Sequence, residues 1–134
     1  MATNTHVHTN KVVTTSGTVG GDVSVTATGT GRVGVSEAIA GDATNQLLAI
    51  AFPVNNLKSV VMYSDVAVTL SINAASNDTP DQTISLQAGK PLTWYTGGYF
   101  AIPLDQAVTS MYVTNASGSV SNLEIEALYD GTPP

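Results

Sequence analysis

The sequence predicts an all-β protein of eight or nine short strands, which form a single-domain antiparallel β-sandwich or a closed barrel, and we favour the sandwich. Three observations lead to this fold class. Apolar residues recur at every second position, turn-forming residues separate these runs at short intervals, and no stretch of about a dozen residues has helical periodicity. The 134 residues fit one domain that is large enough to bury a hydrophobic core.

The first half of the chain supplies four predicted strands: "DVSVTATG", "GRVGVSEAI", "QLLAIAF" and "LKSVVMYSD". In "QLLAIAF" both faces are apolar or small, which predicts a strand that is buried on two sides. In "LKSVVMYSD", strict alternation places Leu57 and Val61 on one face and Val60 and Met62 on the other.

The second half supplies five more: "DVAVTLSIN", "QTISLQAG", "PLTWYT", "SMYVTN" and "NLEIEALYD". The first of these alternates most cleanly, with Val66, Val68, Leu70 and Ile72 on one face. In the last one, Leu123, Ile125 and Ala127 point inward, and Glu124 and Glu126 are expected to lie on a solvated face.

The predicted domain comprises residues 17–130, and the segments on either side of it differ in character. Residues 1–16 are polar, weakly periodic and without an apolar face, so we expect a flexible arm that becomes ordered only on binding. Residues 131–134 form a short tail that is not expected to pack. The opening residues lack the regions of a signal peptide, so synthesis in a cytoplasm is expected.

Composition excludes several classes of protein. The net charge is −6, and the four cations, Lys11, Arg32, Lys58 and Lys90, are scattered, which argues against nucleic-acid binding. No long apolar run or basic amphipathic helix indicates a membrane role. Cysteine is absent, so no disulfide or thiolate site is possible. Asn77 and Asn115 match the glycosylation pattern, and we interpret both matches as chance.

No motif in the chain predicts an enzyme or a cofactor. His6 and His8 have a spacing that could bind a transition metal, but without a third ligand nearby a solvated arm is the preferred interpretation. Asn77, Asp78 and Asp81 could offer oxygens to calcium, but a turn explains the same residues and the spacing is not that of an EF-hand. We therefore predict no catalytic residue, no metal and no cofactor.

Half of the aromatic side chains lie within one short stretch, from Trp94 to Phe100. Alternation along "PLTWYT" places Trp94 on the core face and Tyr95 on the opposite face. We expect this stretch to close the core and to meet a neighbouring chain, with a ligand-binding platform as the alternative.

Three segments resemble small β-rich proteins of tailed bacteriophages. They are "LKSVVMYSDVAVTL" (57–70), "DQTISLQAGKPLTW" (81–94) and "YVTNASGSVSNLEIEALYD" (112–130). Together with "SEAIAGDATNQLLAIAF" (36–52), they cover about half of the chain. The resemblance is greatest to head decoration, or cement, proteins, and it implies a jelly-roll-like sandwich without an active site.

That resemblance implies a virion component on the capsid exterior, with the major capsid protein as its partner, synthesis in the host cytoplasm and a homotrimeric assembly. The candidate protein-interface residues are His6, His8, Lys11, Tyr95, Tyr99 and Phe100. Two alternative functions remain. One is a receptor- or glycan-binding module of a tail fibre or adhesin, and the other is a structural tail or neck protein.

Overall fold

The computed structural model describes residues 3–131, with the side chains of all of them except residues 11–14 and 18–22. This part of the chain contains strands, turns and bends, and no helix. The strands are β1 (Asn4–Thr14), β2 (Gly17–Gly29), β3 (Gly31–Ile39), β4 (Gln46–Leu48), β5 (Leu57–Ser64), β6 (Val68–Ile72), β7 (Gln82–Leu86), β8 (Leu92–Tyr95), β9 (Met111–Thr114) and β10 (Ser121–Tyr129).

Eight of these strands form two four-stranded antiparallel sheets that enclose one core. The front sheet has the order β3-β10-β5-β8, and the back sheet has the order β4-β9-β6-β7. Side chains from both sheets form a single apolar cluster, in which Leu70 of the back sheet and Ile125 of the front sheet are both almost fully buried. The predicted all-β sandwich is therefore confirmed.

The alternation of apolar residues correctly predicted most of this core. Val68, Leu70 and Ile72 are buried on β6, and Leu123, Ile125 and Ala127 are buried on β10. Alternation with period two gives each sheet one apolar face. Each sheet must cover that face, and the two sheets do so by packing against each other as a sandwich.

Strand β5 departs from simple alternation because it contains a bulge. Leu128 pairs with Ser59, whereas the next residue of β10, Tyr129, pairs with Leu57, so that Lys58 is the extra residue. The bulge moves Leu57 to the core side, together with Val60, and this corrects the prediction that Leu57 shares a face with Val61.

The prediction of a doubly buried strand in "QLLAIAF" is wrong. Strand β4 contains only three residues and lies at the edge of the back sheet, where the side chain of Leu47 is 60% exposed. The chain then leaves the ladder and returns at Phe52, which forms an isolated bridge with Val108 and is fully buried. In a two-layer sandwich the back sheet packs against the core on one face only, so the outward Leu47 stays exposed, which alternation alone does not reveal.

Residues 4–14, expected to be an arm without regular structure, form strand β1 and pair with β2 in a separate two-stranded sheet. We call this β1–β2 unit the hairpin. Backbone pairing needs no apolar face, which explains why a polar, weakly periodic segment can be a strand. Residues 3–131 therefore contain ten strands rather than eight or nine. The division into units at residues 16 and 130 stays a prediction, and residues 132–134 lie outside the described part.

Asn115 organises the turns at one end of the sandwich. Its side chain is fully buried, its amide Nδ2 donates to the carbonyl oxygens of Ile39, Ala40 and Ser119, and its Oδ1 accepts from the backbone N–H and hydroxyl of Ser117. This arrangement gives the "NAS" match a structural role, because Asn115 has no exposed surface that a glycan could reach.

Candidate functional site

The hairpin lies against the outer face of the front sheet and positions both histidines of the chain. Side chains alternate along β1, so that His6 and His8 point toward the sheet while Val7 is 63% exposed. Across the hairpin, His6 pairs with Ala27 and His8 pairs with Val25. The strand partner thus fixes both imidazoles on one side.

An apolar contact supports this placement. Leu128 belongs by alternation to the outer face of the front sheet, and yet it is fully buried, as is its cross-strand partner Ser59. Gly29 of β2 lies directly on β10, since an added Cβ at this position would be 2.8 Å from the Tyr129 carbonyl oxygen. The absent side chain at Gly29 therefore permits the close approach that covers Leu128.

Four side chains form a continuous line of hydrogen bonds beneath the hairpin, which we call the polar chain: Glu126, His6, Ser59 and His8. The His6 Nε2 atom lies 2.9 Å from Glu126 Oε1, and the His6 Nδ1 atom lies 2.8 Å from Ser59 Oγ. On the other side of the same hydroxyl, His8 Nε2 lies 2.7 Å from Ser59 Oγ. The polar chain thus ties β1 to both β5 and β10.

Arg32 on β3 completes the environment of the carboxylate. Its Nε atom lies 2.9 Å from Glu126 Oε1 and its Nη2 atom lies 3.0 Å from Oε2, a two-pronged ion pair. The hydrogen bond from Arg32, together with that from His6, holds the pKa of Glu126 below its ordinary value, against the opposing effect of burial. Glu126 is therefore ionised near neutral pH and acts only as an acceptor.

An ionised Glu126 determines the direction of the remaining hydrogen bonds. The His6 Nε2–H group must donate to the carboxylate, so in neutral His6 the Nδ1 atom accepts the hydroxyl proton of Ser59. Ser59 Oγ then accepts from the Nε2–H group of His8. Burial, followed by the proximity of His6, lowers the pKa of His8, which favours the neutral form that this pattern uses.

The order carboxylate, imidazole, hydroxyl resembles the arrangement of a serine hydrolase, but the geometry does not support attack by the hydroxyl. Ser59 has no exposed surface, and its hydroxyl lies between two imidazole rings. A nucleophile must be reached by its substrate and must have a base that can take its proton. We interpret the polar chain as the attachment of the hairpin.

A groove of about 830 Å³ opens beside the polar chain, between β1 of the hairpin and the segment from Thr93 to Phe100. We call it the aromatic groove. The Tyr95 ring packs against the His8 ring with their centroids 4.7 Å apart, which joins the two walls at the base. At the rim, Tyr99 and Phe100 are 94% and 78% exposed and meet edge to face.

The loop after β8 is held by a bond from the single tryptophan. Trp94 is half-buried against the core and its indole Nε1–H donates to the Phe100 carbonyl oxygen at 3.1 Å. This agrees with the predicted inward direction of Trp94, and Tyr95 faces outward as predicted. The contact that Tyr95 makes, however, is with His8 of its own chain.

Five of the six candidate interface residues line one groove: His6, His8, Tyr95, Tyr99 and Phe100. Sequence reasoning placed the histidines on an arm and the aromatic residues on the sandwich, and it gave no reason for the two groups to meet. The sixth, Lys11, belongs to β1, and its side chain lies outside the described part. The assignment of these residues to a protein interface stays a prediction.

Three residues of the site were missed: Ser59, Glu126 and Arg32. Glu126 was interpreted as part of a solvated strand face, which holds for Glu124 but not for Glu126, since the latter binds Arg32 and His6. The sequence contained one signal, because a lone arginine in "GRVGV" and a glutamate in "LEIEAL" lie on adjacent strands. Their pairing follows only from the strand order.

The described residues contain no group of three histidine, aspartate or glutamate side chains that could hold a metal ion. Residues 77–81 form the loop that could offer oxygens to calcium. There, Asp81 accepts a hydrogen bond from the Asn73 amide at 2.7 Å, and Asn77 accepts one from the Asn45 amide at 3.3 Å. Hydrogen bonds within and between turns account for these side chains.

The chain matches no protein-family model, no curated protein and no solved structure. Within residues 3–131, there is no helix of sufficient length and apolar character to span a membrane.

Proposed function

We propose that this chain is a non-enzymatic structural protein of a phage virion, which binds the outside of the head as a decoration, or cement, protein. In this proposal it is made in the host cytoplasm, assembles as a homotrimer and has the major capsid protein as its partner. The resemblance of the segments within residues 36–52, 57–70, 81–94 and 112–130 supports the proposal, because these segments contain strands and turns of the sandwich.

The observation that best supports the proposal is that the hairpin has unpaired strand edges in the described part of the chain. Among the described residues, β1 and β2 pair only with each other, so both edges of this two-stranded sheet are open. His8 is the last residue of β1, among the described side chains, that hydrogen-bonds the sandwich. The six residues from there to Thr14 span about 20 Å at a rise of ~3.3 Å per residue.

Open strand edges are templates for pairing with another chain, and a protein that keeps them exposed needs a partner to cover them. The residues of the turn, 15–17, are exposed. We therefore assign the capsid contact to the distal part of the hairpin, and we assign the sandwich the role of a rigid base.

The order of strands in the sandwich supports the jelly-roll form. Consecutive strands from β3 to β10 alternate between the two sheets, except for β6 and β7, which are neighbours in the back sheet. Such crossing between two four-stranded sheets is the expected result of two interlocked Greek keys.

Cryo-electron microscopy of the parent virion tests the assignment directly. We expect density for the sandwich on the outer surface of the head, with the hairpin in contact with the shell. Density at the tail or neck would favour the alternative location, and absence of the chain from the particle would contradict the proposal.

A shortened hairpin tests the contact surface. Asn10 pairs with Val23, so residues 11–22 can be replaced by an Asn-Gly turn while the polar chain is kept. We expect this variant to fold and to lose binding to undecorated heads, whereas Val120→Ala, a change at an exposed residue of the sandwich, should bind as the wild type does. Light scattering should give three chain masses for the wild-type protein, and a monomer at high concentration would contradict the trimer.

A further inference from the structure

We propose that the aromatic groove is a binding site for an uncharged saccharide. This inference goes beyond head decoration and does not depend on it, since the groove lies between β1 and the Thr93–Phe100 segment and the proposed capsid contact lies at the distal end of the hairpin. Four properties of the groove support a saccharide ligand: its size, its charge, its mixture of aromatic and polar groups, and the bonds that hold its walls.

The size of the groove is that of a ligand site. Its volume of about 830 Å³ falls within the ~300–1,000 Å³ of typical small-molecule pockets. Its walls are β1 and the Thr93–Phe100 segment, which lie far apart in the sequence. An elongated ligand of several sugar rings can lie in such an open groove.

Among the described side chains, those of residues 11–14 and 18–22 not included, the lining of the groove contains no aspartate, glutamate, lysine or arginine. The chain as a whole has ten acidic and four basic residues and a net charge of −6, so this part of the surface differs from the rest. The described part of the lining therefore offers no lysine or arginine to a phosphate, a nucleotide or an acidic peptide. A neutral ligand fits the site best.

Both aromatic and hydrogen-bonding groups line the groove. Tyr99 and Phe100 present ring surface at the rim, and Asn10 of β1 and Thr93 of β8 add an amide and a hydroxyl group that can donate and accept. A sugar ring has apolar C–H faces and a rim of hydroxyl groups, so it can satisfy both. An apolar segment of a second copy of this chain would leave the polar groups without partners, which costs free energy.

The walls are held in place without a ligand. The contact of the Tyr95 ring with His8, the polar chain beneath it, and the bond from Trp94 Nε1 to the Phe100 carbonyl oxygen connect both walls to the sandwich. A site whose walls are already fixed loses less conformational entropy when it binds. The exposure of two neighbouring aromatic rings is then accounted for by the ligand that covers them.

The single tryptophan of the chain lies beside the groove, and its indole bonds the Phe100 carbonyl oxygen at the rim, so its fluorescence can report a change there. The full-length protein is titrated with neutral hexasaccharides of glucose, N-acetylglucosamine and galactose, while Trp94 fluorescence and saturation-transfer NMR of the sugar are recorded. We expect saturable binding of at least one of them at concentrations up to about 10 mM, and weaker binding of sialylated and sulfated sugars. No binding of any neutral sugar, or stronger binding of the charged ones, would overturn the proposal.

Variants at the exposed rim distinguish the groove from other surfaces. Tyr99→Ala should weaken binding by about three- to tenfold, the effect of losing one aromatic contact, whereas Tyr99→Phe should retain it. Leu47→Ala, at an exposed position of β4, is the matched control and should bind as the wild type does. Unchanged affinity in Tyr99→Ala would contradict the site, as would a change in oligomeric mass without a change in sugar binding, because the rim would then be a contact between copies.

Discussion

The two faces of the front sheet are covered in different ways. The inner face packs apolar side chains against the back sheet, with residues such as Ile125 and Met62 almost fully buried. The outer face is covered by the hairpin, and the attachment there includes a line of four polar side chains, the apolar contact at Leu128 and the packing of the Tyr95 ring on His8. Apolar packing tolerates many sequences, whereas the polar chain depends on every partner being present.

The largest loss of stability is expected for a substitution in the apolar core. Phe52→Ala removes a fully buried ring next to the bridge with Val108, and we expect the free energy of unfolding to fall by about 3–5 kcal/mol. Urea denaturation followed by circular dichroism measures this loss. A loss as small as that from a surface substitution would show that Phe52 does not belong to the main core.

A smaller loss is expected at the buried turn. Asn115→Ala leaves the carbonyl oxygens of Ile39 and Ser119 without their donor, and we expect the free energy of unfolding to fall by about 2 kcal/mol. The same denaturation experiment applies, with Asn55→Ala, at an exposed position in the turn before β5, for comparison. If both variants have equal stability, the turn is not held by Asn115.

A local effect is expected in the polar chain. Ser59→Ala removes the hydroxyl that His6 and His8 share. The free energy needed to open the hairpin should therefore fall by about 1–2 kcal/mol, while the sandwich stays folded. Hydrogen exchange of the backbone amides measures this difference. We expect faster exchange in residues 4–10 and unchanged exchange in β6 of the back sheet. Equal acceleration in both would show that the hairpin and the sandwich open together.

The smallest expected effect is a pH dependence of the hairpin contact. The folded-state pKa of His8 is lowered, so its contribution to stability is present above its ordinary value of 6.5 and is lost as the pH falls through the folded value. The pKa of Glu126 is also lowered, so a second loss follows below 4.5. The charged and titratable neighbours in this region are His6, Arg32 and Tyr95.

Amide exchange in residues 4–10 should therefore quicken between pH 7.5 and pH 5.5, after correction for the intrinsic pH dependence of exchange. His8→Phe keeps a ring against Tyr95 and removes the titration, so this variant should show a weaker response. An identical response in wild type and variant would assign the pH dependence to another group.

The same contrast explains which parts of the molecule could be predicted from the sequence. The alternating apolar residues Val68, Leu70 and Ile72 indicate a strand with one buried face, and this pattern correctly predicted the sandwich. Strand β1 was missed because its pairing with β2 uses the backbone, which leaves no mark in a polar sequence. The bulge at Lys58 was missed for a similar reason, since strict alternation does not show where an extra residue enters.

The candidate site was predicted only in part. The aromatic residues from Trp94 to Phe100 stood out in the sequence, and so did the two histidines. Their meeting in one groove, and the link from His6 to Ser59 and Glu126, join residues more than 50 positions apart. Contacts at such separation depend on strand order, which one sequence does not reveal.

The central claim is that the hairpin is fixed to the front sheet through its histidines, and nuclear Overhauser spectroscopy of the imidazole protons tests it most directly. The chain contains only two histidines, so their signals can be assigned with the single variants His6→Gln and His8→Gln. With ring centroids 4.7 Å apart, His8 and Tyr95 should give strong cross-peaks at pH 7.5. Absence of these cross-peaks, with random-coil shifts for residues 4–14, would contradict the account and would restore the flexible arm.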